Sequence, residues 1–424
     1  MNVVPLNDEE VGAATVPRLL YIGEFPPSNH HGGAILLRRL LDKHPTDSLT
    51  IMASKLGMRA TAAPDLLGCR HIAFPFLRNS PNFWVAKLKI VINCLILALV
   101  ALRAVLVIKR QRVKTVISII QGRYYLAAAL AAWVTRTPHI VMVHDNFVSG
   151  NFAASTFTGG MGRRLTKRTL WNAAHIYAVS PEMQRLVLDE CGMQSELQLP
   201  STTIRPRQQD GHTLRDNGSG PVILFAGTVG YTVKDCLDLL VSTIMKGMLK
   251  KYGLPNARLH LCTPLTDAEI LTFGWSSPGI TNGGWVSQSE LPTVLANADI
   301  LFLPYSFSPG ARKAVETAFP SKIADYLAAG KPILVLGPKY SSLVRYAREQ
   351  GFAEIVEEFS SSTLARTIRK IAVSPVDRET LAAKGAEVLL ANHDIGAQRR
   401  RFYRVLEQVI SAGTPKTPRS KVAS

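Results

Sequence analysis

Acidic side chains are missing from a long part of this 424-residue sequence: positions 66–144 contain no Asp or Glu. The same stretch carries eleven cations, Arg70, Arg78, Lys87, Lys89, Arg103, Lys109, Arg110, Arg112, Lys114, Arg123 and Arg136. One face built from it must be strongly positive, which accounts for much of the formal net charge of +18. Cysteine is also sparse. Cys69, Cys94, Cys191, Cys236 and Cys262 are odd in number, far apart and never in a C-x-x-C pair. That excludes a disulfide framework and structural zinc, and it suits a reducing compartment. Residues 1–16 contain Asp8, Glu9 and Glu10 and lack a cationic start and an apolar core, so no secretory signal is expected and the protein reads as cytoplasmic. No short internal repeat is present. Neither zinc-finger spacing nor an RNP-type aromatic motif accompanies the cations, which argues against nucleic acid as the partner.

What is there is an ordinary globular composition, 47% hydrophobic and 19% charged, in a chain long enough for two domains. Apolar β-rich runs alternate with helical patterns in two successive sets. The first has strand candidates at 18–23, 49–54, 70–74, 114–120, 138–143 and 174–179; the second at 221–226, 257–262, 299–303 and 331–336. Alternation of this kind predicts an α/β protein with two parallel sheets wrapped by helices. Between the sets lies RPRQQDGHTLRDNGSG, 205–220, polar and glycine-containing, the best linker candidate. The expected layout is therefore a disordered N-terminus over 1–16, a first domain over 17–204, the linker, a second domain over 221–388, a helix over 389–411 and a disordered tail over 412–424.

Inside the acid-free stretch, VAKLKIVINCLILALVALRAVLVIKR, 85–110, has the length of a membrane-spanning helix, interrupted only by Asn93 and Arg103 between Ile90 and Ile108. Strand-like runs on both sides belong to one expected sheet, which a bilayer cannot split. Two readings stay open: a buried core helix, or a helix lying on an anionic membrane surface through 85–114, with lysines before it and KRQRVK after it as headgroup anchors.

Ligands of open α/β folds bind at the carboxyl ends of the strands, here expected at a cleft between the two domains. After the first strand, Gly32 and Gly33 open a helix and let backbone approach an anion. After the strand at 138–143 stand His144 and Asp145. The second domain opens with ILFAGTVGYTVKDCLDLL, 223–240, a strand, glycine-rich turn and helix with Lys234 near the helix start. In FPSKIADYLAAGKPILVLGP, 319–338, Pro320 suits a first helical turn and Gly330 with Pro332 ends the helix before the next strand. Lys322 stands at that helix start, where it and the backbone N–H groups could hold a phosphate.

The blocks FPPSNHHGGA, VMVHDNF, AAHIYAVSPEMQRLVLDECG, ILFAGTVGYTVKDCLDLL, GGWVSQSELPTVLANADILFLPYS and PSKIADYLAAGKPILVLGP occur in the order and at roughly the spacing of family 4 glycosyltransferases. The resemblance spans about residues 17–375. It implies a GT-B fold, two Rossmann-like domains facing across a cleft, and a hexosyltransferase-type enzyme that moves a sugar from a nucleotide-sugar donor with retention. It implies no metal and no cofactor, the nucleotide-sugar being a co-substrate; the acceptor is expected to be a saccharide or lipid-linked polysaccharide precursor on the separate ground of the reading in which 85–114 lies on a membrane surface. Position by position, Ser321 and Lys322 would face the diphosphate, Asp325 the ribose, Gly32 and Gly33 the phosphates and acceptor side, and His144 the donor sugar or diphosphate. The last helix resembles one that crosses back to brace the first domain.

Departures from the pattern matter. Where the family has two acids separated by seven residues, Thr317 stands eight positions before Asp325, with Glu316 one place earlier; either Glu316 or Thr317 fills the first position. Thr228 replaces a common arginine, and Lys234 is one place off the usual lysine. Arg312 or Lys313 is available to supply the missing charge. Two alternatives remain beside transfer: a nucleotide-sugar epimerase on the same fold, and a non-catalytic nucleotide-sugar binder associated with a membrane.

Overall fold

The computed structural model describes residues 16–29, 32–59, 61, 66–75, 83–148, 159–206 and 220–413. Residues 1–15 and 414–424 of the expected disordered ends, most of the expected linker, Arg78, and the side chains of Lys87 and Lys89 lie outside the described residues, and Ala412, expected in the tail, is helical. The chain forms two compact units. The first comprises residues up to Val179, Met183–Gln198 and the chain from Ile395 on; the second comprises Ser180–Glu182 and Leu199–Asp394.

The first unit runs β1 (Leu19–Gly23), α1 (Gly32–Leu41), β2 (Leu49–Ser54), α2 (Lys55–Arg59), β3 (Arg70–Phe74), α3 (Phe83–Gln111), β4 (Thr115–Ile119), α4 (Tyr125–Thr135), β5 (His139–Val143), α5 (Gly159–Trp171), β6 (His175–Ala178), α6 (Pro181–Cys191) and β7 (Glu196–Leu197). Its strands pair in parallel in the order β3-β2-β1-β4-β5-β6-β7. The central strands are buried along their whole length, which is why they read as continuous apolar runs rather than alternating ones. Alternate residues of β1 serve two cores. Leu19 and Tyr21 pack with α1, while Leu20 and Ile22 pack with α3 and α4 on the other side of the sheet.

The second unit runs β8 (Val222–Ala226), α7 (Lys234–Met245), α8 (Met248–Lys251), β9 (Arg258–Cys262), α9 (Asp267–Thr272), β10 (Ile280–Asn282), α10 (Leu291–Ala296), β11 (Ile300–Pro304), α11 (Arg312–Val315), α12 (Ile323–Ala328), β12 (Ile333–Leu336), α13 (Ser342–Gln350), β13 (Ala353–Val356), α14 (Ser361–Val373) and α15 (Pro375–Val388). Its parallel order is β10-β9-β8-β11-β12-β13. The last helix, α16 (Ile395–Ala412), belongs to the first unit, where Ile395, Phe402, Val405, Leu406 and Val409 join Leu36, Leu37 and Tyr21 in one core.

α3 is a single 29-residue helix with two unlike apolar faces. Ile96, Leu97, Val100, Ala104, Val107 and Ile108 form an inner stripe at helical spacing, packed with β1, β3, β4 and α4. The outer stripe, Val91, Leu95, Leu99, Leu102 and Leu106, is 45–64% exposed. Val91–Gln111 is long and apolar enough to cross a membrane by length and composition, yet 44% of its most apolar window is buried inside the fold. One face of the helix is thus core and the other is exposed.

Candidate functional site

In both sheets the strand order changes direction between neighbours, β1 and β4 in the first and β8 and β11 in the second. Loops leaving the carboxyl ends of such strands diverge and leave room for a ligand. The sequence-derived candidates gather at these ends, separately in each unit.

In the second unit, β8 leads into a turn at Gly227, whose N–H donates to Cys262 O at 2.9 Å and whose φ is +138°. That conformation favours glycine. Lys322, immediately before α12, extends its ammonium beneath this turn. A Cβ at residue 227 would lie 2.8 Å from Lys322 Nζ, and Nζ stands 3.8 Å from the centroid of the Phe225 ring. The buried Ala226 N–H donates to Tyr326 Oη at 2.8 Å, which ties α12 to the end of β8 and fixes this approach. Among the described residues no carboxylate pairs with Lys322. Burial lowers its pKa to about 7, because dehydration penalises the ammonium and only the ring face offsets that cost.

The other candidates of this unit divide. Ser321 and Thr228 adjoin Lys322 and Gly227 in the chain, Thr228 exposed and Ser321 partly so. Asp325 is buried on α12, 4% exposed. Arg312 is exposed; its Nε donates to Glu316 at 3.0 Å and its guanidinium lies 4.6 Å from the Tyr340 ring centroid. Glu316 is thus a partly exposed, already paired carboxylate. Thr317 is buried, its hydroxyl donating to Lys313 O at 3.3 Å and its carbonyl accepting from Ser180 Oγ at 2.7 Å. Of the two contenders for the first acidic position, only Glu316 has an acid facing outward. Lys234 does not join Lys322. Its ammonium is held by both carboxylate oxygens of Asp238, at 2.8 and 2.9 Å, and lies over Phe273 and Trp275. The helix entered through Pro320-Ser321-Lys322 is also shorter than the sequence suggested, six residues, with Lys322 as its N-cap. So short a helix has little macrodipole, and positive charge here comes from the lysine itself.

In the first unit, Gly32 and Gly33 open α1, and His144 follows β5 directly. A Cβ at residue 33 would lie 2.2 Å from His144 Nδ1, so glycine is what lets the imidazole seat against the helix start. That nitrogen is enclosed with no hydrogen-bond partner among the described residues. Burial lowers the His144 pKa to about 4 and raises that of Asp145 from its ordinary value. The ring is therefore neutral at pH 7.

Sequence reasoning missed Glu24 and Arg123, which follow β1 and β4 at the change of strand direction. The Glu24 carboxylate occupies the space a side chain at Gly122 would need, and Gly122 has φ +63°. Burial raises the Glu24 pKa, and the Arg123 guanidinium and main-chain N–H partly counter it. Phe225 and Gly227 were missed as partners of Lys322 as well. The glycine turn itself was visible, but nothing in the sequence pairs it with a lysine so far downstream.

Two parallel six- and seven-stranded sheets with ligand-type turns at their switch points define the GT-B class. Residues 35–198 match the glycosyl transferase 4-like domain and residues 220–373 match group 1 glycosyl transferases, and the chain belongs to the family 4-like GT-B glycosyltransferases. No curated protein matches the sequence. Among solved structures, HepE of Anabaena, crystallised with UDP and glucose, has a TM-score of 0.65 at 13% identity, covering 92% of this chain and 99% of that one. Sucrose-phosphate synthase of Thermosynechococcus elongatus has a TM-score of 0.65 at 14% identity, with 93% and 100% covered. A putative UDP-N-acetylglucosamine 2-epimerase of Listeria monocytogenes reaches 0.53 at 14%, with 95% and 98% covered. At such identities these likenesses concern the fold.

Proposed function

We propose that this glycosyltransferase takes its sugar from a nucleoside-diphosphate sugar, retains the anomeric configuration, and uses Lys322 in place of a metal to carry the charge of the leaving diphosphate. The observation that carries the reading is an ammonium held under a glycine turn, on an aromatic face, with no carboxylate beside it. Such a group is short of an anion. A diphosphate oxygen accepting from Nζ would restore the lost hydration, and the bond strengthens as negative charge collects on the departing phosphate. UDP is the first base to test, since HepE was crystallised with UDP and with UDP-glucose. Glu316, Arg312, Ser321 and Thr228 are the side chains available around the donor, and Asp325 is the proposed ribose contact. His144, neutral at pH 7, serves as a hydrogen-bond partner of the sugar rather than as a charged group. The acceptor we propose is a saccharide or lipid-linked precursor met at the inner face of the cell membrane, supported by the acid-free, cationic stretch 66–144.

The test is UDP release and product formation from a panel of nucleotide sugars with a lipid-linked acceptor. Lys322→Ala is expected to lower kcat/KM by about 2–4 kcal/mol of transition-state stabilisation while leaving the thermal melt in place. Unchanged turnover in a folded variant would remove the lysine from the site. Isomerised donor without transfer would establish the epimerase reading instead.

A further inference from the structure

We propose that the outward faces of α3 and α4 form one surface that docks on an anionic lipid bilayer without crossing it; this rests on, and deepens, the reading of a membrane-held acceptor. The sequence pointed to α3 alone. The structure adds α4, which packs beside it on the same side of the first sheet. Leu130, Trp133 and Val134 are 47%, 65% and 51% exposed, at the i, i+3, i+4 spacing of one helix face. With the outer stripe of α3 they make an apolar plateau, and an exposed tryptophan in such a place suits the headgroup boundary.

Charge selects the occupant. Arg103 sits within the α3 stripe, and Lys109, Arg110, Arg112 and Lys114 are exposed where that helix ends. Arg136 closes α4. Both helices end as the chain turns back into a parallel strand, so these cations share the amino-terminal edge of the sheet. A second copy on this face would bury Arg103, which stands inside the stripe, in an apolar contact. An anionic headgroup layer answers both the plateau and its basic rim.

Arg112 and Arg136 supply an independent sign. Their φ angles are +55° and +54°, the left-handed conformation that follows a helix end and favours glycine. At Arg112 the backbone conformation alone would favour a residue without Cβ, yet an exposed arginine stands there. Spanning is excluded by the inner stripe of α3, which is part of the core, and by β3 and β4, which flank the helix and belong to one sheet.

The experiment is co-sedimentation of the full chain with vesicles of phosphatidylcholine alone and mixed with phosphatidylglycerol. Wild type should bind only the anionic vesicles, release in high salt or alkaline carbonate, and show a blue shift of fluorescence that Trp133→Phe removes. Arg112→Gly should melt no lower than wild type, because glycine fits its φ of +55°, yet partition about fivefold less at low salt. Leu130→Ser/Trp133→Ser should lose binding at any salt. Donor turnover with a soluble acceptor should persist in the arginine variant, which separates a failure of docking from a failure of the transferase reading. Absence of binding by wild type, equal partition of the arginine variant, or self-association through this face without lipid binding would overturn the proposal.

Discussion

Lys322, the diphosphate contact proposed above, carries a liability in its own acidity. The folded protein without ligand holds this ammonium at a pKa of about 7, well below the 10.4 of a free lysine side chain. A bound diphosphate favours the charged form and pulls the pKa back up, so above pH 7 binding must take up a proton. Affinity for UDP should therefore fall as pH rises above about 7, by up to tenfold per unit. Calorimetry at pH 8 in buffers of different ionisation enthalpy should register uptake of close to one proton, and none in Lys322→Arg, whose guanidinium stays charged throughout. Uptake equal in both proteins would place the phosphate elsewhere. Much of this residue was legible in advance, because Pro-Ser-Lys ahead of a short helix is a local pattern. Its surroundings were not. Phe225 looks like any strand residue, and the pairing of Glu24 with the turn at Gly122 and Arg123 depends on which strands become neighbours.

At the level of elements, the strands were readable wherever parallel pairing buries both faces and demands an unbroken apolar run. β7, β10 and β13 escaped because they lie at or near sheet edges and mix polar with apolar residues over two to four positions. α3 was readable as a helix, but its division into an inner and an outer face was not, because apart from Asn93 and Arg103 both sides are apolar between Ile90 and Ile108 and periodicity is lost. The final helix was expected from the resemblance alone, and Phe402 lies fully buried between α1 and the first sheet. Phe402→Ala should destabilise the first unit by about 3–5 kcal/mol, chiefly through the cavity it leaves. Denaturant melts of the variant against wild type check this; a loss below 1 kcal/mol would mean that α16 contributes little to that core.

For the molecule as a whole, the resemblance and the alternating pattern together made the two-sheet architecture visible, whereas the distribution of tasks between faces came only from the fold. The feature with the widest reach is the return of α16 to the first unit. Translation runs in one direction, and the strands of that unit are complete by Leu197, yet the helix that covers one of its two cores emerges only after Asp394. At roughly 5–20 residues per second, the ribosome leaves Leu37, Tyr177 and their neighbours without a lid for roughly 10–40 s. A chain stopped at Asp394 should accordingly be rapidly cleaved by protease across the first unit while the second resists, and supplying 395–412 as a separate peptide should restore part of that resistance. Equal resistance of both units in the shortened chain would show that the first closes without it. On this view one core of the first-made half stays open to proteases and chaperones until α16 has been synthesised.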